Sequence, residues 1–163
     1  RRRHSFPTRR SSDLIVRIVS VARIPGARTK VAVASTVATV DPVAACVGKV
    51  HNRVDYVKRM IGGEQVDVVA WHPDLSVFLC NALQPANVSV RSISARKRTA
   101  VVSAPKHQMP TAVGGGGHNT QLAGRLTGLN VRVVPDGSSF SIEESSDQPE
   151  SSVDEPQVVP ADE

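Results

Sequence analysis

Four consecutive glycines, Gly114 to Gly117, run into His118 and Asn119, and no other stretch of this chain is as well suited to gripping a ligand. A loop without Cβ atoms turns sharply and lets its backbone come close to a string of phosphates. A helix beginning at His118 would aim its unpaired N–H groups at whatever lies over the loop. His118 and Asn119 would then sit within reach of sugar or base edges. A plain flexible turn between two helices is the competing reading. An eroded copy lies upstream, Gly48-Lys49-Val50-His51, with Asn52 and Arg53 behind it. Lys49, Asn52 and Arg53 suit a phosphate, and they suit a solvated helix face equally well.

The elements that must position these loops can be read from periodicity. Ile15 to Ala22 and Thr29 to Ser35 read as a strand pair turned at Pro25-Gly26. Asp41-Pro42 opens a helix that carries Val43, Cys46 and Val47 inward and stops at Gly48. Val54, Val57 and Ile61 mark one face of the next helix, which Gly62-Gly63 ends. Gln65 to Trp71 is a third strand. Asp74 then caps a helix with the stripe Leu75, Phe78, Leu79, Ala82, Leu83, which Pro85 stops. Val88 to Ile93 and Arg98 to Ser103 form another hairpin, whose Arg96-Lys97-Arg98 tip is a solvated turn. A helix from Gln108 to Val113 leads into the glycines. Leu122 and Leu126 mark the following helix, Gly128 its end, and Val131 and Val133 the last strand. The order strand–strand–helix–glycine loop–helix–strand thus occurs twice, pairing Val47 with Val113, Gly48 with Gly114 and Gly62 with Gly128. An internal repeat is a stronger signal than either motif alone.

Composition sets the remaining bounds. Aromatics are 3% of the 163 residues, so the core must be built from Val, Ala, Ile and Leu. No run approaches the roughly 20 apolar residues of a membrane helix. The formal charge of +5 hides a division: nine acids and no Lys or Arg from Asp136 onward, and 20 bases against six acids before it. That asymmetry suggests a polyanion partner for the body, and the tail, 136–163, reads as disordered. Cys46 and Cys80 read as buried, reduced thiols. No Gly-Lys-Ser/Thr follows the glycines and there is no Gly-x-Ser-x-Gly, which argues against a P-loop and a serine hydrolase. His51, His72, His107 and His118 lack metal-ligand spacing. No catalytic constellation is visible, so the reading is not an enzyme, with no cofactor and no metal. Residues 1–14 are expected to be foreign, because His4 to Leu14 back-translates into what looks like a common sequencing adapter. The first unit is then expected to be truncated.

The order α-β-β-α-α-β with a glycine loop between the last two helices resembles a type II KH domain. Residues 16–134 go further and resemble the tandem KH domains of the NusA family of bacterial transcription termination/antitermination proteins. The matching phrases are Val19-Ser20-Val21-Ala22-Arg23, Arg28-Thr29-Lys30-Val31-Ala32-Val33, Asp41-Pro42-Val43, Ala45-Cys46-Val47-Gly48, Gly62-Gly63-Glu64, Asn81-Ala82-Leu83 with Pro85-Ala86, and Arg125-Leu126-Thr127-Gly128. The resemblance implies an α+β fold of two tandem type II KH domains, each a three-stranded sheet packed by helices: the first over 15–72, lacking its leading helix, the second over 73–135. It implies an RNA-binding module in the bacterial cytoplasm that holds single-stranded nascent RNA beside RNA polymerase and other transcription factors, with no membrane partner. The alternative is a KH scaffold that has lost RNA binding and works through protein contacts. The resemblance places RNA at Gly48, Lys49, Asn52 and Arg53 in the first unit and at Gly114, Gly115, Gly116, Gly117, His118, Asn119 and Arg125 in the second. Arg125 is equally suited to capping the helix end beside Gly128. His51 stands where the family has a second glycine, which predicts a first loop that closes less tightly. Trp71 reads as core.

Overall fold

The computed structural model describes residues 15–138, leaving aside the side chain of Lys49; the readings of 1–14 and of the tail beyond Ser138 lie outside the described residues. Strands β1 (Val16–Ile24) and β2 (Arg28–Ser35) pair antiparallel. Helices α1 (Pro42–Val47) and α2 (Asn52–Met60) then cross over to β3 (Gln65–Ala70), which pairs parallel to β2. A parallel neighbour requires such a crossover, and the helix pair supplies it. After α3 (Leu75–Ala82) the pattern repeats: β4 (Ser89–Ser94) pairs antiparallel to β5 (Thr99–Ala104), and α4 (Met109–Val113) and α5 (His118–Thr127) lead to β6 (Asn130–Pro135), parallel to β5. The sheets are ordered β1-β2-β3 and β4-β5-β6. The chain is α+β, with two three-stranded sheets packed by helices.

Period-two alternation sends the residues of sheet one to two different neighbours. Val31, Val33, Val66 and Val68 point toward Cys46, Val54 and Val57 on α1 and α2. On the other face, Ala22, Ala32 and Val69 join Phe78, Leu79, Ala82, Leu83, Ala100, Val102, Leu122, Ala123 and Leu126 in one core. The second unit therefore packs on the back of the first sheet. Trp71 is half-buried against this core.

The stripe read for α3 holds, with Phe78, Leu79, Ala82 and Leu83 buried. Of the face read for α2, Val54 is buried and Ile61 half-buried. Val57 is 46% exposed, beside exposed Tyr56, Met60, Ile18 and Val21. In the second unit α3 packs against α5 and β4. Among the described residues no helix precedes β1 to take the matching place in the first unit.

Candidate nucleic-acid interface

Both glycine loops adopt one backbone shape. Gly48 (φ 77°, ψ 170°) matches Gly114 (φ 77°, ψ 161°). Val50 (φ 53°, ψ 31°) and His51 (φ 59°, ψ 14°) match Gly116 (φ 61°, ψ 18°) and Gly117 (φ 74°, ψ 13°). The expectation that His51 would loosen the first loop is thereby corrected. The loop makes the same turn, with two side-chain-bearing residues, one of them β-branched, held in the left-handed region at some strain.

The close approach behind each turn explains the leading glycines. A Cβ on Gly114 would lie 2.8 Å from the Asn119 amide nitrogen, and one on Gly48 would lie 2.5 Å from Asn52 Oδ1 and 2.9 Å from Arg53 Cγ. The helix start is thus drawn tightly under the loop. Helices α1 and α3 are capped by carboxylates: Asp41 Oδ1 accepts from the Val43 and Ala44 amides at 2.8 and 3.2 Å, and Asp74 Oδ1 from Ser76 and Val77 at 2.8 and 3.3 Å. These bonds hold the Asp74 carboxyl below its ordinary range. Helices α2 and α5 have no side-chain cap; their caps are His51 and Gly117 in left-handed conformation. The His118 amide donates to the Gly115 carbonyl; no side chain caps the remaining first-turn amides of either helix, which an outside acceptor could do.

A groove runs beside each loop. The first, about 490 Å³, is lined by Val47, His51, Val54 and Lys58 on one side and the edge of β3 on the other, with Gln84, Pro85 and Asn87 closing its far wall. The second, about 540 Å³, runs from Gly116 past Thr120, Gly124 and Arg125 to Asn130 and Val131 on the edge of β6. The two grooves occupy matching places in the repeat.

Two tandem units, each with a glycine turn opening onto an uncapped helix and a groove, match known domains in order. A model of the NusA-like first KH domain matches residues 11–71, and a model of the NusA-like second KH domain matches residues 75–139. The chain belongs to the NusA-like KH family. It is 41% identical over 117 residues to the transcription termination/antitermination protein NusA of Thermus thermophilus, covering 72% of this chain and 30% of that protein. It is 32% identical over 158 residues to NusA of Halalkalibacterium halodurans, covering 87% and 41%, and 40% identical over 126 residues to NusA of Mycobacterium bovis, covering 77% and 36%. The chain therefore spans well under half the length of these relatives.

Within these NusA-like KH domains, His118 is half-buried beside the tetrad: a Cβ on Gly116 would lie 3.3 Å from its Nε2. Gly115 meets nothing within 4 Å. Asn119 is corrected. Its side chain is 1% exposed, and Nδ2 donates to the carbonyls of Leu83 and Ala112, both at 3.0 Å. It ties the ends of α3 and α4 together beneath the loop and offers RNA no side-chain contact. Arg53 is exposed, and its guanidinium donates to the Ala45 carbonyl, bracing α1 behind the first loop. Asn52 is exposed beside Gly48, and Lys49 lies in the turn itself. Arg125 lines the second groove and donates through Nη1 to the Arg23 carbonyl of the first unit at 2.7 Å, so the cap read beside Gly128 is not its role.

Sequence reading missed Lys30, which is fully buried where the units meet. Its Nζ donates to the Gln84 carbonyl at 2.8 Å and lies 3.7 Å from Asp67, which also pairs with Arg28. Burial pushes this lysine down to about 8, against the opposing pull of Asp67. The signal was present: Lys30 alternates with the small Ala32 and Ala34 on one strand face, which suits close approach of a second layer. Glu64 is similarly engaged, accepting from Arg23 Nε (2.9 Å), the Gly26 amide (2.8 Å) and Thr29 Oγ1 (3.2 Å). Chiefly the Arg23 bonds, then the Gly26 amide, hold its carboxyl down at about 2.

Proposed function

We propose that this chain is the RNA-binding module of a bacterial transcription termination/antitermination factor, holding single-stranded nascent RNA beside RNA polymerase in the cytoplasm. The observation that carries the reading is the pairing of a left-handed turn with a helix start that no side chain caps, found once in each unit. Backbone amides there meet phosphate oxygens, and each adjoining groove takes bases. The basic body, 15 Lys and Arg against five acids over residues 15–135, supplies the long-range attraction. Gly48, Lys49 and Asn52 act at the first loop, and Gly114 to Gly117 with His118 act at the second. Arg125 faces the second groove while fastening the units together.

Binding of a fluorescent single-stranded RNA across a salt series tests this. Phosphate contacts require log affinity to fall linearly with log salt, by about 0.7 per phosphate neutralised on a single strand. Gly117→Asp should weaken binding about tenfold further at low salt, whereas Gly117→Asn, the same shape without charge and tolerant of the left-handed region, should weaken it less. Salt-independent or absent binding would leave the fold as a protein-interaction scaffold.

A further inference from the structure

The far wall of the first groove does not belong to the first unit. Gln84, Pro85 and Asn87 follow α3, yet they line the same cavity as Val47, Val54, Val66 and Val68. They are held there firmly. The Gln84 carbonyl accepts from buried Lys30 at 2.8 Å, and the Asn87 amide donates to Gln108 Oε1 at 2.7 Å. Both bonds use backbone atoms, which leaves two carboxamides, on exposed residues, at the groove with no hydrogen-bond partner among the described residues.

We propose that Gln84 and Asn87 of the second unit read a base seated in the groove of the first, with adenine preferred. This rests on the RNA-binding reading above and deepens it. The floor of four valines offers a flat base face dispersion contacts without polar competition. The wall offers paired donors and acceptors, and a carboxamide bonds adenine bidentately through its exocyclic amine and the adjacent ring nitrogen. Lys58, whose Nζ lies 3.5 Å from exposed Asp55, also lines the groove and suits a phosphate beside that base. The one acid in the lining, Asp67, is already paired with Arg28 and Lys30, so it does not repel the strand. Among the described residues the second groove is lined by its own unit alone. The two grooves therefore read bases by different means, and the first does so only while the units stay docked.

The test is binding of the full 163-residue chain to an oligouridylate of twelve nucleotides carrying a single adenine moved along its length. One position is expected to bind about tenfold more tightly than the all-uridine strand. In the double variant Gln84→Ala/Asn87→Ala that peak flattens; the ratio between strands is the readout, whatever happens to overall affinity. Gln84→Glu/Asn87→Asp, which keeps shape but removes the donors, should flatten it too. A peak that survives both variants, or no peak at all in a protein that still binds RNA with a steep salt dependence, overturns this proposal alone. Loss of all salt-sensitive RNA binding by the parent chain overturns the RNA reading, and this proposal with it.

Discussion

The two glycine turns share a backbone and differ in almost everything that surrounds it. In the second unit, Asn119, Leu122, Ala123 and Leu126 of α5 are buried against α3, both sheets and the inter-unit core. The corresponding residues of α2, Arg53, Tyr56, Val57 and Met60, are exposed. The second turn is made of glycine throughout; the first holds valine and histidine in the same left-handed conformation. A backbone shape that survives such different company is set by what the repeats have in common. That is a leading glycine with the next helix pressed beneath it, and a parallel strand the helix pair must reach. The side chains inside the turn adjust to the shape and do not create it.

The sharpest way to break this account is to fill the space under the leading glycine. Gly114→Ala places a methyl 2.8 Å from a backbone nitrogen at a φ of +77°, and no side chain can swing away to relieve it. A loss of about 3 kcal/mol or more in chemical denaturation is expected, from overpacking and left-handed strain together. Gly48→Ala meets side chains and no backbone, the end of Asn52 at 2.5 Å and the stem of Arg53 at 2.9 Å, and these can shift. Its cost should be about half as large. Equal costs would mean that the side-chain contacts under Gly48 are as unyielding as the backbone contact under Gly114.

Much of this arrangement was legible in the chain. Asp41-Pro42, Asp74 and Gly128 marked helix boundaries because capping is local chemistry. The stripe from Leu75 to Leu83 was read correctly because nearly its whole face meets core. Membership of the NusA-like KH family was carried by phrases spread along both units. Burial that depends on a distant partner was not legible. Asn119 looked like a ligand-facing residue since it follows the glycines, but the carbonyls it serves belong to Leu83 and Ala112. Val57 had the right period for a core residue and faces the valines of the first sheet, yet it stays 46% exposed. For Lys30 the alternation with Ala32 and Ala34 hinted at a close second layer, but the Gln84 carbonyl it bonds lies 54 residues away in sequence.

A smaller effect separates the two helices at the position after the turn. Asn119→Ala strips the donor from two buried carbonyls and should cost about 2 kcal/mol, seen as a lower midpoint of thermal unfolding. Arg53→Ala, the corresponding change in α2, removes one exposed bond to Ala45 and should cost well under 1 kcal/mol. If the arginine mattered as much as the asparagine, the first helix would have to be braced in a way its exposure does not suggest.

The smallest expected effect runs in the opposite direction. Val50 and His51 sit at φ values of 53° and 59°, where a Cβ crowds the backbone. Val50 is also 93% exposed, so its side chain contributes almost no packing to offset that strain. Replacing both by glycine removes the strain but gives the unfolded chain more freedom to lose on folding. The balance should leave Val50→Gly/His51→Gly about 1 kcal/mol more stable than the parent in denaturant titration. Such a gain would show that the first turn keeps its shape despite its sequence. A loss would mean that one of these side chains holds the turn closed, and the likeness between the two loops would then have two separate causes.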